Sequence, residues 1–212
     1  MKALLLDVGN TRLKWGVLED DQIHRTGHIA MRKVREEGLG VLTSRLPRSV
    51  DAVLVSNVAG ATFGTRLSGV IGMHCECDVH FAKPERASCG VQSGYRHPRR
   101  LGVDRWVAMI GAWAELESAF VVVDAGTAVT IDAIDDEGRH LGGQIFPGVR
   151  LMFEALAAST SDIPAVGRQL SATSGLDMFG DTTSRAVQNG AWNAVTGAVD
   201  RAITTLRSNA YE

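Results

Sequence analysis

Two aspartates stand at the same point of a repeated pattern, each near the end of an apolar run and just before a glycine turn. Asp7 lies at the end of KALLLDV before the turn at residues 9–11, and Asp124 ends AFVVVD before Gly126 and Thr127. Glycine lets backbone N–H groups approach an anion, and asparagine or threonine adds a further donor. An aspartate repels phosphate directly, but it can hold a cation, or cation-bound water, that neutralises phosphate. The pattern therefore predicts a phosphate and metal site that the chain uses twice.

A plain hairpin is the alternative interpretation of both segments. Aspartate and asparagine favour turns because their side chains bond to nearby backbone groups. For one copy alone that interpretation would be preferred. Two copies about 117 residues apart, each with an aspartate ending an apolar strand, favour the ligand site. Ligands in α/β proteins bind beyond the carboxyl ends of such strands.

The elements that must carry these turns follow from hydrophobic periodicity. In the first half we predict strands at 2–8, 12–19 and 22–30, a helix at 31–46, a strand at 50–56, a helix at 60–72 and a strand at 75–81. After an irregular segment at 85–106, we predict a helix from about 103 to 118, strands within 119–135 and at 140–148, a helix at 149–158 and a long helix at about 182–207. The strand at 50–56 should run parallel to the first, since a helix separates them. Both halves open with an antiparallel meander, which predicts two related α/β lobes.

Composition excludes several classes of function. The chain has 212 residues, 45% of them hydrophobic, and a formal net charge of −2. No basic face is implied, so neither nucleic acid nor an anionic membrane is expected as a partner. No apolar run approaches the ~20 residues that span a bilayer, and the N-terminus lacks the features of a signal peptide. We therefore expect a cytoplasmic protein.

The three cysteines are expected to be structural or incidental thiols. Cys75 and Cys77 lie near His74 and His80, which could suggest a metal site, and Cys89 stands apart. Zinc sites usually space paired cysteines by two to four residues and need a second ligand pair elsewhere. An odd number of cysteines without a secretion signal also argues against a disulfide framework.

Five ordered motifs carry a family resemblance. They are DVGNTRLKWG, LGVDRW, VVVDAGTAVTIDAID, GGQIFPGVRLM and TSRAVQNG, and they extend from residue 1 to about residue 205. In this order the sequence resembles type III pantothenate kinase, of the acetate kinase/sugar kinase/Hsp70/actin superfamily. The resemblance implies a ribonuclease H-like, actin-like ATPase fold with two related lobes, at 1–101 and 102–212. Each lobe would be a mixed sheet, an antiparallel meander plus parallel strands, with flanking helices.

The resemblance also implies an activity. The family transfers the γ-phosphoryl group of ATP to pantothenate, giving 4′-phosphopantothenate in the first step of coenzyme A biosynthesis. Mg²⁺ would accompany ATP, and a monovalent cation, K⁺ or NH₄⁺, would be a second cofactor. The expected assembly is a homodimer with pantothenate near the subunit interface.

The family motifs map onto residues of this chain as expectations. The ATP and phosphate site would comprise Asp7, Val8, Gly9, Asn10, Thr11, Arg12, Leu13, Lys14 and Thr127. The pantothenate site would comprise Tyr95, Gly102, Val103, Asp104, Arg105 and Thr183. Asp104 matches the catalytic base, which accepts the proton of the substrate hydroxyl. Arg105 could pair with the substrate carboxylate in a bidentate fork. Asp124 matches the monovalent cation site, and Asp7 would place Mg²⁺ indirectly.

Each of these residues has a purely structural alternative. Asp104 could simply begin the helix at 103–118, where a negative charge suits the helix dipole. Arg105 could belong to a solvated basic loop together with the arginines at 96, 99 and 100. Tyr95 could anchor that loop. Thr183 could serve as a helix N-cap together with Asp181 or Thr182.

The sequence departs from the family pattern after the last helix. The family usually continues with a strand, a glycine-rich turn and a closing helix, whereas this sequence ends RAITTLRSNAYE. The second lobe therefore looks shortened, which predicts an exposed sheet edge and an open adenosine side of the ATP site. Two alternatives to an active pantothenate kinase remain. One is a catalytically weak relative that acts as a regulatory or accessory interaction protein, and the other is a different small-molecule kinase of the superfamily.

Overall fold

The computed structural model describes residues 1–160, 163 and 178–209. The chain divides into two compact units. The first unit comprises residues 1–86 and 95–108, and the second comprises 87–94 and 109–212. None of the helices in the described ranges has the length and apolar character that a membrane span requires.

The first unit is built on one mixed sheet. Its strands are β1 (Lys2–Val8), β2 (Arg12–Glu19), β3 (Gln22–Ala30), β4 (Ala52–Asn57) and β5 (Val79–Phe81), and its helices are α1 (Met31–Glu37), α2 (Gly40–Thr43) and α3 (Ala61–Cys75). The strand order is β3-β2-β1-β4-β5. β1 pairs antiparallel with β2 and parallel with β4, and β4 pairs parallel with β5. The predicted combination of a meander with parallel strands is confirmed for this unit.

One face of this sheet forms the core of the unit. Leu4, Leu6 and Val8 of the central strand β1 are almost completely buried. They pack in one cluster with the apolar side chains of α1 and α3, among them Val34 and Leu67. Because successive side chains of a strand alternate between its faces, Asp7 is directed away from this core. The alternation of buried and partly exposed side chains along β1 thus fixes the face on which its carboxylate lies.

Two predicted elements of this unit differ in the structure. The helix expected across residues 31–46 is divided into α1 and α2, because Gly38 ends α1 with a φ of 84°. That left-handed conformation is accessible to glycine at little cost and stops a helix. The strand expected at 75–81 is shorter, since α3 continues to Cys75 and β5 begins at Val79.

The second unit contains two sheets, one of three strands and one of two. Its strands are β6 (Ala87–Ser88), β7 (Val91–Gln92), β8 (Phe120–Ala125), β9 (Ala128–Ile134) and β10 (His140–Pro147), and its helices are α5 (Val149–Ser159) and α6 (Thr183–Asn209). Helix α4 (Val103–Leu116) supplies residues to both units. β8, β9 and β10 form an antiparallel meander, while β6 and β7 pair as a small hairpin inside the segment predicted to be irregular.

The core of the second unit lies between its meander and its long helix. Val129 and Ile131 of β9 pack against Val195 of α6, with further apolar side chains of α5 around them. Over the described ranges, the β8–β10 sheet pairs only antiparallel strands. The parallel strands expected in the second lobe are therefore not found in that part of the chain.

Candidate active site

The first glycine turn closes the β1–β2 hairpin. Val8 and Leu13 form the last pair of the ladder, and the backbone N–H of Gly9 donates to the carbonyl of Arg12 at 3.0 Å. The side chains of Val8 and Leu13 are completely buried. Only their backbone groups are therefore available to a phosphate. Asn10 is exposed at the tip of the turn.

Asp7 lies opposite Lys14 in the β1–β2 register, one pair before the turn. Its Oδ2 is 3.6 Å from Lys14 Nζ, and both side chains are about half exposed, at 47% and 59%. A pair this accessible contributes little to stability, because water already solvates both charges. The two charges are thus available to a polyanionic ligand and its counter-cation.

The second glycine turn repeats this arrangement in the second unit. Asp124 lies opposite Thr130, again one pair before the closing pair of the hairpin, Ala125 with Val129. The N–H of Gly126 donates to the carbonyl of Ala128 at 3.0 Å. The connection at 126–128 is thus one residue shorter than the connection at 9–12. The register of the aspartate is kept although the turns differ in length.

The two aspartates differ in their cross-strand neighbour. Asp7 faces a lysine, whereas Asp124 faces the neutral Thr130. Asp124 is exposed, and its carboxylate has no ion-pair partner in the described part of the chain. A carboxylate without a neighbouring cation is a suitable ligand for one. Within the described ranges, no three His, Cys, Asp or Glu side chains gather as a metal cluster.

Gly148 supports the second turn from the neighbouring segment. Its N–H donates to the carbonyl of Thr127 at 2.9 Å, and its own carbonyl accepts from Met152 in the first turn of α5. A Cβ added to Gly148 would overlap the carbonyl oxygen of Gly126. This close approach of two backbone segments requires glycine. Sequence reasoning assigned Gly148 no role, because only the folded chain brings residues 126 and 148 together.

The start of α4 carries the predicted catalytic carboxylate. Asp104 lies in the first turn of the helix, and its Oδ1 accepts the backbone N–H of Arg105 at 2.8 Å. A Cβ added to Gly102 would lie 2.6 Å from that same Oδ1. Glycine at 102 therefore leaves the space that the carboxylate occupies. The predicted role of Asp104 in beginning the helix is compatible with a catalytic role, since its carboxylate is half-buried and not enclosed.

Arg105 is not part of a solvated loop, because it is 94% buried, with a relative exposure of 6%. Its Nη1 donates to the hydroxyl of Tyr95 at 3.0 Å. The guanidinium carbon also lies 5.7 Å from the centre of the Tyr95 ring, within cation–π range. The structure thus brings Tyr95, Asp104 and Arg105 together in the first unit. A buried guanidinium beside an aromatic ring is suited to holding a carboxylate or a phosphate.

Thr183 begins α6 in the second unit and is exposed. The cap of this helix is Thr182, whose Oγ1 accepts the N–H of Arg185 at 3.2 Å. In the described ranges the hydroxyl of Thr183 therefore has no capping role, and it is accessible to a ligand. Arg185 is also held by Asp181 at 2.9 Å, which closes the first turn of the helix.

Sequence reasoning also missed a buried polar pair in the second unit. His140 Nε2 lies 2.8 Å from Asp132 Oδ1, and the two side chains are 0% and 1% exposed. They lie on the paired strands β10 and β9. Removal of either partner would leave the other polar group buried without this contact, which is costly. We interpret the pair as part of the framework of this sheet.

Comparison with solved structures defines the class of fold. A protein described as a 2-dehydro-3-deoxygalactonokinase from Sinorhizobium meliloti matches with a TM-score of 0.50 and 15% identity, over 74% of this chain and 57% of that one. A protein described as a Baf family transcriptional activator from Campylobacter jejuni matches with a TM-score of 0.60 and 22% identity, over 93% of this chain and 78% of that one. The mixed α/β sheet with flanking helices is thus a fold that this chain shares with both of these proteins.

Sequence comparison defines the family within this fold. The family model of type III pantothenate kinase matches residues 3–205. A type III pantothenate kinase of Dechloromonas aromatica is 37% identical over 201 residues, covering 95% of this chain and 80% of the relative. One of Herminiimonas arsenicoxydans is 37% identical over 207 residues, covering 94% and 78%. The chain therefore belongs to the type III pantothenate kinase family.

Proposed function

We propose that this protein phosphorylates pantothenate with ATP, forming 4′-phosphopantothenate and ADP, the first step of coenzyme A biosynthesis. Family membership over residues 3–205 supports the reaction. The single structural observation that carries the proposal is the buried Arg105 next to Asp104 and bonded to Tyr95. This arrangement places a group for an anionic substrate directly beside a group that can accept a proton.

Arg105 and Tyr95 bind the carboxylate of pantothenate in this proposal. A guanidinium can present two parallel N–H donors to a carboxylate, and the burial of Arg105 strengthens such an interaction because less water competes. The bond from Arg105 to the Tyr95 hydroxyl fixes the plane of the fork before substrate arrives. Gly102, Val103 and the exposed Thr183 complete the predicted substrate contacts.

Asp104 accepts the proton of the hydroxyl that is phosphorylated. The oxygen of that hydroxyl forms the new bond to the γ-phosphorus, and the bond from that phosphorus to the bridging oxygen of ADP breaks. Positioning and charge compensation supply most of the rate enhancement in such transfers. The bond from Arg105 N–H to Asp104 Oδ1 fixes one oxygen of the carboxylate, and the other is available to the substrate.

The residues of the first turn fit an ATP phosphate group with its divalent cation. Mg²⁺ usually binds through one or two carboxylates, water and the phosphates of the substrate, so a three-residue cluster is not needed. Asp7 supplies one half-exposed carboxylate, and Lys14 opposite supplies a positive charge for a phosphate oxygen. The backbone of residues 8–13, with the side chains of Asn10, Thr11 and Arg12, supplies donors. Mg²⁺ would neutralise phosphate charge there.

Asp124 holds the monovalent cation, K⁺ or NH₄⁺, in this proposal, and Thr127 contacts ATP. The exposed carboxylate of Asp124 faces a neutral threonine across the strand pair, which supports a cation site at this residue. We further propose an actin-like fold of two lobes, a homodimeric assembly and a cytoplasmic location.

The test is ADP release by the purified chain with ATP and Mg²⁺, with and without pantothenate and with and without potassium. We expect turnover that requires pantothenate, rises with potassium and is lost in Asp104→Asn. Asp104→Asn keeps the shape of the side chain and the start of α4 while removing the base, so its fold should be unchanged by circular dichroism. Turnover that is independent of pantothenate would indicate transfer of the phosphoryl group to water, and would contradict pantothenate as the required acceptor.

The alternative of a regulatory or accessory protein receives no support from these comparisons. The likeness to the Campylobacter jejuni protein is at 22% identity and shows the fold alone. Absence of both turnover and pantothenate binding in the folded wild-type chain would contradict the kinase proposal.

A further inference from the structure

Arg86 is attached to the backbone of the segment that carries Tyr95. Its Nη1 donates to the carbonyl of Tyr95 at 3.4 Å, and its Nη2 donates to the carbonyl of Arg96 at 3.5 Å. One guanidinium therefore bridges two successive peptide units through two long hydrogen bonds. Neither the family motifs nor the sequence pattern assigned this arginine a role.

The position of Arg86 in the chain explains what this attachment does. The first unit contains residues up to 86 and resumes at 95, while the eight residues between belong to the second unit. Arg86 and Tyr95 are thus the two residues at which the chain leaves and rejoins the first unit. The bonds from Arg86 join these two points across the intervening segment. Without the bonds from Arg86, the backbone carbonyl of Tyr95 would lose a hydrogen-bond donor at the residue where the chain rejoins the first unit.

Tyr95 therefore accepts a hydrogen bond at its backbone carbonyl and another at its side-chain hydroxyl. Its carbonyl accepts from Arg86, and its hydroxyl accepts from Nη1 of the buried Arg105. A movement of the Tyr95 backbone would be transmitted to the hydroxyl and hence to the orientation of the Arg105 fork. Bidentate recognition of a carboxylate depends on that orientation, because two parallel N–H bonds must align at once.

We propose that Arg86 is a positioning residue for recognition of the substrate carboxylate, acting through the Tyr95 backbone on Arg105. This inference rests on the proposed function, since it assumes that Arg105 binds the carboxylate of pantothenate. Arg86 itself touches neither the substrate nor the reacting atoms. Its effect is therefore on carboxylate binding and not on the transfer step.

The test compares Arg86→Ala with wild type on two substrates. One is pantothenate, and the other is pantothenol, in which a neutral alcohol replaces the carboxylate and the phosphorylated hydroxyl is kept. We expect Arg86→Ala to raise the KM for pantothenate roughly tenfold, as expected for a displaced binding group. The kcat and the KM for ATP should change less than about twofold, and the KM for pantothenol should stay near the wild-type value. Arg86→Lys, which can reach one carbonyl but not two in a fork, should be intermediate.

Arg99→Ala is the matched control. Arg99 lines the same cavity of about 600 Å³ as Arg86, together with His97 and Arg100. It carries the same charge, but its guanidinium makes no hydrogen bond or ion pair in the described part of the chain. An electrostatic effect of the basic cavity would therefore appear in both alanine variants, whereas a positioning effect appears only in Arg86→Ala.

The possible outcomes separate this inference from the proposed function. Wild-type turnover with an unchanged pantothenate KM in Arg86→Ala would overturn the inference alone. An equal loss for pantothenate and pantothenol would also overturn it, because a general disturbance of the fold does not distinguish the two substrates. If the wild-type chain neither phosphorylated pantothenate nor bound it in calorimetry, the proposed function and this inference would both be wrong.

Discussion

The hydroxyl of Tyr95 lies 3.0 Å from Nη1 of Arg105, and the guanidinium carbon of Arg105 lies 5.7 Å from the centre of the Tyr95 ring. The tyrosine therefore contacts the same cation through its hydroxyl and through its π-system. Arg105 is buried, so these contacts replace part of the solvation that its charge has lost. They also hold the guanidinium in a defined orientation.

Tyr95→Phe should weaken pantothenate binding without removing catalysis. The substitution removes only the hydroxyl, so the ring contact with Arg105 is kept while the hydrogen bond is lost. A bond to a charged group is typically worth about 1.5–3 kcal/mol, and we expect the KM for pantothenate to rise roughly tenfold. The kcat should change little. Steady-state kinetics with varied pantothenate at saturating ATP measures both, and a fall in kcat with an unchanged KM would contradict the binding role.

Gly102→Ala should impair the transfer step through the position of Asp104. A Cβ at residue 102 would lie 2.6 Å from Asp104 Oδ1, so the carboxylate must rotate away. Because a misplaced base acts poorly, kcat should fall about tenfold or more. The matched control is Gly111→Ala in α4, the helix that carries Asp104, where an added Cβ meets nothing within 4 Å. That variant should keep its activity and gain about 0.5–1 kcal/mol in unfolding free energy, as alanine favours a helix. Equal activities of the two variants would contradict the argument.

Asp7→Asn should abolish Mg²⁺-dependent turnover with little effect on stability. The Asp7–Lys14 pair is about half exposed, so its loss should change the unfolding free energy by less than about 1 kcal/mol. The same two strands provide the control, because Lys2 and Glu19 form an equivalent cross-strand pair at 3.3 Å at the other end of the ladder. Glu19→Gln should leave turnover unchanged. Kinetic assays and urea unfolding of both variants measure the difference, and comparable turnover in the two would count against a phosphate site at Asp7.

The pKa of the Cys75 thiol predicts a specific loss of stability at alkaline pH. Burial raises this pKa above its ordinary value of 9.0, and the charge of Cys77 raises it further. The folded state therefore binds the thiol proton more tightly than the unfolded state. The resulting stabilisation is present below about pH 9 and is lost as the pH rises through the higher pKa of the folded state.

Urea unfolding between about pH 8 and about pH 10 measures this effect. The unfolding free energy of wild type should fall more steeply with pH than that of Cys75→Ala, which lacks the thiol. Comparing the slopes of unfolding free energy against pH removes any pH-independent loss of stability caused by the substitution itself. Cys89→Ala is the control, since Cys89 is exposed, and its slope should follow wild type. Parallel slopes for wild type and Cys75→Ala would contradict the prediction.

The sequence predicted local features of the fold more accurately than contacts between distant segments. The strands at 2–8, 12–19 and 22–30 match the structure to the residue. A continuous apolar run defines the first, alternating apolar residues define the second, and turn residues separate the three. The break at Gly38 was missed, although a glycine in the predicted helix was a visible signal. The small hairpin of β6 and β7 was missed because its strands are two residues long and carry no periodic pattern.

In the candidate site, too, the sequence predicted residues that are close in the chain better than contacts between distant segments. The predicted motif residues Tyr95, Asp104 and Arg105 come together in the structure, since only a short connection separates them in the chain. The sequence predicted no role for Arg86 or for Gly148, although Gly148 lies in one of the family motifs. Each acts through backbone groups of another segment, and the residue type of a backbone acceptor leaves no pattern in the sequence. Their roles could be seen only when the folded chain placed those backbone groups nearby.

Gly148→Ala should damage the second glycine turn and with it the response to potassium. An added Cβ would overlap the Gly126 carbonyl oxygen and lie 2.9 Å from the Thr127 carbonyl oxygen, so the turn that follows Asp124 must move. We expect a raised KM for ATP, a weaker stimulation by potassium and a loss of about 1–3 kcal/mol in unfolding free energy. Gly190→Ala in α6 is the control, because an added Cβ there meets nothing within 4 Å. Potassium titrations of turnover and urea unfolding test both variants. Normal potassium stimulation in a destabilised Gly148→Ala would show that the turn supports the fold and not the cation site.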